Sequence, residues 1–160
     1  SKVFTNEIEP KSGDKITTDK YIQQKGVIRF CAKGNNPNYV NTTLIPFPTV
    51  DQNVGNGYDA STYKFTCPVA GTYMIQANFG IVQISSANDY GYFALKKNTS
   101  TTVYYGYNQV PTATGYHNTS MNIMIELEVG DTLHMEFLAS GTAKYYNFHT
   151  ESQFSGYLIA

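Results

Sequence analysis

Residues 46–80 read PFPTVDQNVGNGYDASTYKFTCPVAGTYMIQANFG, and the spacing of aromatics, Asn and Gly within them decides the fold. Five residues separate Phe47 from Asn53, four separate Asn53 from Tyr58, six separate Tyr58 from Phe65, and five separate Phe65 from Gly71. Tyr73, Ile75 and Ala77 then alternate with polar positions, the two-residue period of a strand with one buried face. Pro68 ends one strand and Gly71 allows the tight backbone that starts the next. Unequal, fixed intervals of this kind describe a scaffold and not a catalytic grouping.

Outward from this stretch the β character continues. The chain has 160 residues, enough for one domain with a real core. Its 14 Tyr, 9 Phe and 14% charged residues favour strands over helices. Residues 1–24 are polar, with isolated apolar positions and a turn at Lys11 to Asp14, and read as a shaft-like or linker leader; residues 25–160 read as the head. Strands are expected at 27–32, 44–47, 58–65, 72–84, 90–96, 102–107, 121–129, 132–138 and 154–159. In MNIMIELEVGDTLHMEF, Ile123, Ile125, Leu127 and Val129 share a face with Leu133, Met135 and Phe137 across the Gly130 turn, which predicts a hairpin. No 3.6-residue period and no internal repeat interrupts this pattern. About ten short antiparallel strands close most naturally as a two-sheet jelly roll.

Charge and motifs exclude several classes of function. Eleven basic residues against twelve acidic ones leave a formal charge of −1 without blocks of one sign, so nucleic acid is not an expected partner. No run of 18 apolar residues is present, which argues against membrane insertion, and the N-terminus lacks the regions of a signal peptide. The chain begins at Ser1 with no Met, as a trimmed or excised piece would. Cys31 and Cys67 read as free thiols, with a bridge between them as the lesser alternative. His117, His134 and His149 show no metal or nucleophile spacing, and His134, alternating with Leu133 and Met135, is expected to face solvent. Glu126, Glu128 and Glu136 read as a solvated strand face. No enzyme chemistry is expected.

The spacing from Phe47 to Ala77 resembles the signature of the globular heads of complement C1q and their tumour necrosis factor relatives. FTCPVAGTY, ALKKN at 94–98, LEVGD at 127–131 and QFSGYLIA at 153–160 resemble later landmarks of that family in the same order. The resemblance covers Val27 to Ala160, and its signature residues here are Phe47, Asn53, Tyr58, Phe65, Gly71, Tyr73, Phe154 and Gly156. Ile75 and Ala77 stand where aromatics are customary. The resemblance implies an all-β, ten-stranded antiparallel jelly-roll sandwich that forms a homotrimer, with both termini at one end.

The leader phrase VFTNEIEPKSGDKITTD resembles the β-structured shaft segments that precede the heads of virus and phage fibres. Head and leader together imply the C-terminal head of a viral or phage fibre at the virion surface, capping the shaft and binding a host cell-surface protein or carbohydrate. A secreted, extracellular eukaryotic C1q-like pattern-recognition or lectin-type binding domain and a purely structural trimerisation cap are the alternatives. Strand parity puts the connections 84–89, 109–118 and 140–153 at the end away from the stalk, where long loops on a rigid sandwich usually bind. The candidate binding residues there are Asn88, Asp89, Tyr107, Asn108, Tyr116, Lys144, Tyr145, Tyr146 and His149. Tyr and Asn suit sugars or a protein surface, and Lys144 suits an acidic glycan. No cofactor or metal is expected, although Asn88 with Asp89, and Asp51 with Asp59, offer oxygen atoms to calcium. Sequons occur at Asn41, Asn98 and Asn118.

Overall fold

The computed structural model describes residues 27–34, 38–40, 44–84, 90–109, 114–139 and 145–159. Among them lie twelve strand segments: β1 (Arg29–Lys33), β2 (Asn38–Val40), β3 (Thr49–Val54), β4 (Tyr58–Asp59), β5 (Lys64–Thr66), β6 (Gly71–Ile84), β7 (Tyr90–Lys97), β8 (Thr101–Gln109), β9 (Thr114–Leu127), β10 (Thr132–Ala139), β11 (Tyr145–Phe148) and β12 (Gln153–Leu158). One sheet runs β2-β11-β6-β12-β1-β3, and β9 pairs along the other edge of β6. The second runs β4-β5-β10-β7-β8. Every pairing is antiparallel.

Register separates the two ends of the sandwich. At the apical end Gln83 pairs with Thr114, Tyr90 with Gln109, Gly91 with Ala139, and Ile84 with Tyr146. At the basal end Gly71 pairs with Leu127, Lys97 with Thr101 and Leu133, and Arg29 with Tyr157. The chain enters β1 and leaves β12 at the base, as the resemblance implied.

The core fills from alternate residues of both sheets. Tyr73, Ile75, Ala77 and Phe79 of β6 all point inward and are essentially buried, so the two smaller residues keep the dry face. Phe30 stacks on Phe65 across the sheets at 4.6 Å, and Phe79 stacks on Phe93 at 4.1 Å. Such aromatic pairs add about 0.5–1.5 kcal/mol each beyond area burial. The signature spacing has a hydrogen-bonding cause. The Asn53 side chain accepts the Tyr58 N–H at 3.0 Å and donates to the Tyr58 carbonyl at 2.8 Å, while the buried Tyr58 hydroxyl donates to the Phe47 carbonyl at 3.0 Å. Gly156 faces the core, where a Cβ would come within 2.6 Å of Ile75 Cδ1 and 2.8 Å of Phe30 Cε1.

Several strand expectations change. β9 and β10 are not a hairpin: β9 pairs with β6 and β10 with β7, so the Gly130 turn carries the chain from one sheet to the other, and Val129 is exposed. Residues 44–47 make only an isolated bridge, Leu44 to Glu136, although Ile45 and Phe47 are buried; the strand begins at Thr49. The 58–65 segment is two short strands around a turn. Both thiols are free, Cys67 buried and Cys31 half-buried.

Candidate functional site

The apical half of the first sheet carries an open groove of about 830 Å³, a size in the range of small-molecule sites. Its floor is β6 paired with β9, where Asn78 lies opposite Ser120, Phe79 opposite Thr119 and Gly80 opposite Asn118. Alternation turns Phe79 into the core and leaves Asn78, Asn118 and Ser120 exposed on the outward face. Its wall is the link between β11 and β12, residues His149, Glu151 and Ser152.

That wall is held by backbone bonds. The His149 N–H donates to the Gly80 carbonyl at 2.6 Å, the buried Ser152 hydroxyl accepts the Gly80 N–H at 3.1 Å, and the Ser152 N–H donates to the His149 carbonyl at 2.9 Å. Glycine at position 80 lets the wall approach closely, since a Cβ there would sit 3.0 Å from His149 Cβ and press on it. His149 Nδ1 accepts the Glu151 N–H at 3.1 Å, which fixes the ring's orientation and puts the neutral ring's proton on Nε2. Glu151 projects into solvent, 3.8 Å from Lys33 Nζ. Lys33 is engaged more closely with Asp51, at 2.8 Å, and that hydrogen bond holds its amine above the ordinary lysine value.

Of the binding residues expected from sequence, His149 is the one whose side chain is placed in the groove. Tyr107 and Asn108 lie on β8 opposite Tyr92 and Gly91, Tyr116 lies on β9, and Tyr145 and Tyr146 begin β11 opposite Val40 and Tyr39. Tyr107 lies in the strand expected at 102–107, and the other four, with His117, are strand residues rather than loop residues: β8, β9 and β11 run further toward the apex than their polar sequences indicated. Asn88, Asp89 and Lys144 lie outside the described residues. Asn78, Asn118, Ser120 and Glu151 were missed, because the groove joins segments about 70 residues apart in the chain.

Below the groove, beyond a polar row of Gln76, Asn122 and Ser155, the same outward face of the first sheet carries one short apolar row. Met74 pairs with Met124 on one side and Tyr157 on the other; Met124 is 68% and Tyr157 44% exposed. The second sheet's outer face instead holds a polar network. Tyr105 and Thr102 share a hydroxyl contact at 3.2 Å, Lys96 donates to Thr102 at 2.7 Å and lies 3.7 Å from Glu136, and Glu136 meets His134 Nε2 at 3.2 Å. His134 is 3% exposed, not solvent-facing as expected, and its Nδ1 has no partner. Burial pushes its pKa below the usual histidine value, with Glu136 opposing.

No group of three His, Cys, Asp or Glu that could hold a metal ion occurs among the described residues. Asp51 is paired with Lys33, and Asp59 accepts hydrogen bonds from Ser61 and Thr62. Nor is any helix among them long and apolar enough to cross a membrane.

The C1q domain family matches residues 29–159. The chain belongs to this family. No curated protein matches the sequence. Among solved structures, the globular domain of zebrafish complement 1qA protein is similar at 16% identity and a TM-score of 0.63, over 84% of this chain and 98% of that one. Eiger TNF from S. frugiperda gives 10% identity and a TM-score of 0.65, over 85% and 94%. Murine APRIL gives 10% and 0.62, over 83% and 99%. At these identities the likeness is one of fold. C1q and TNF domains typically form trimers, bind receptors or ligands, and are generally non-enzymatic, and in this C1q domain the outward face of the first sheet offers both an apolar band and a polar groove.

Proposed function

We propose that this C1q domain is the non-enzymatic, homotrimeric head of a viral or phage fibre, which caps the shaft and binds a host cell-surface protein or carbohydrate without a cofactor. One observation carries the reading: the outward face of the first sheet holds an apolar row, Met74, Met124 and Tyr157, toward its base and is polar at its apex, with Asn78, Asn118, Ser120 and Glu151. A threefold contact between copies covers the band, since interfaces favour Met and Tyr. The groove, with the apical strand ends around Tyr107, Tyr116, Tyr145 and Tyr146, then meets the host. The shaft-like leader supports the fibre assignment. Its place is the virion surface.

A second reading is a secreted eukaryotic binding domain, favoured by the family match itself and by the sequons. Sequence upstream of Ser1 separates the two: Ile-x-Pro-x-Ser-Gly repeats support the fibre, and a signal peptide followed by Gly-X-Y repeats sinks it. Assembly is tested by sedimentation. Wild type is expected near three times 17.8 kDa, and the Met124→Arg, Tyr157→Arg pair is expected to give monomer; a wild-type monomer would refute the trimer. Failure of the trimer to bind host cells, or intact binding after Tyr145→Ala and Tyr146→Ala, would remove the apical strand ends from the reading.

A further inference from the structure

We infer that the apical groove selects neutral, hydroxyl- and amide-bearing sugars and rejects sialylated or sulfated ones; this rests on the groove being the ligand site. Four observations lead there. Asn78, Asn118 and Ser120 are exposed side by side across two paired strands, and amides and hydroxyls both donate and accept, as sugar hydroxyls do. Phe79, the apolar residue of the floor, is 2% exposed, so the described lining lacks the apolar anchor that a protein partner's hot spot needs. Among the described lining residues the fixed charge is the Glu151 carboxylate, which repels a carboxylate or sulfate on the ligand. Lys33, the cation 3.8 Å from Glu151, is held more closely by Asp51 at 2.8 Å. His149, held to the Glu151 N–H through Nδ1, presents a ring of fixed orientation beside them.

The test uses bacterially produced full chain at pH 7.5 on a printed array of N-acetyllactosamine, chitotriose and mannotriose beside sialylated and sulfated N-acetyllactosamine. At least one neutral probe is expected to bind about five-fold or more better than the charged forms of N-acetyllactosamine, a ratio typical of one unscreened like-charge pair near a surface. Glu151→Gln, an exposed position, is expected to narrow that ratio, and Ser120→Trp to abolish binding while sedimentation stays unchanged. Preferential binding of the charged probes, abolished by Ser120→Trp, overturns the ligand class and leaves the groove standing. Neutral binding that survives Ser120→Trp overturns the groove. Loss of the wild-type assembly in Ser120→Trp makes the groove a contact between copies and overturns both, as does failure of every probe to bind.

Discussion

At the scale of the residue, His134 and Asn53 show how far one side chain reaches. Burial disfavours the charged imidazole of His134, so the folded state holds it neutral. Its contribution is complete above the unfolded pKa of about 6.5 and is lost as pH falls below that toward the lower folded value. Thermal melts from pH 7.5 to 5.5 should therefore fall more steeply for wild type than for His134→Leu; parallel slopes would show that His134 is not the titrating group. Asn53→Ala removes both partners of the buried Tyr58 backbone and should cost about 1–3 kcal/mol in urea denaturation. The place of Asn53 in the signature was legible from spacing, but its bonds to the Tyr58 backbone across four intervening residues were not. Burial of His134 was not. Alternation tells which way a strand residue points, but not that Glu136 and Lys96 on neighbouring positions cover it.

At the scale of the element, the basal turns are clamped together. Asp131 takes Lys97 at 2.7 Å, the Asn98 amide at 2.7 Å and the Glu128 N–H at 2.8 Å, which link the β7–β8 turn to the β9–β10 crossing. The Lys97 hydrogen bond is the main cause holding its carboxyl down to about 2. The resulting stability is present above the unfolded value of about 3.9 and is lost as pH falls through about 2. Asp131→Asn should flatten the decline in denaturation midpoint between pH 4 and 2, and an unchanged profile would dismiss the clamp. The long strands β6, β7 and β10 were legible because each carries an uninterrupted inward row. The β9–β10 hairpin was misread for a physical reason: a Gly-Asp turn has the same local chemistry whether the next strand returns to its own sheet or crosses to the other.

At the scale of the whole molecule, the sandwich and its two ends were readable from strand parity, whereas the groove depends on the turn between β11 and β12 packing against Gly80, which no local pattern marks. The groove also contains a sequon, Asn118-Thr119-Ser120. Secretion from eukaryotic cells should attach a glycan at Asn118 and block ligand binding, whereas bacterial protein should bind; mass spectrometry with the same array decides, and equal binding by glycosylated protein would place the ligand elsewhere. The sequon at Asn98 differs, because its amide already spans Asp131 and the Thr132 N–H.

The pairing of β1 on both edges has a mechanical consequence. This strand leaves the base paired with β12 on one side and β3 on the other, and its hydrogen bonds lie across the strand axis. A head gripped at its apex and tethered through residue 27 at its base is pulled along β1, so both ladders are loaded in shear and must yield together, where a hairpin pulled from its open end would unzip one bond at a time. The topology that hides the aromatics also makes the tethered end the one that resists extraction.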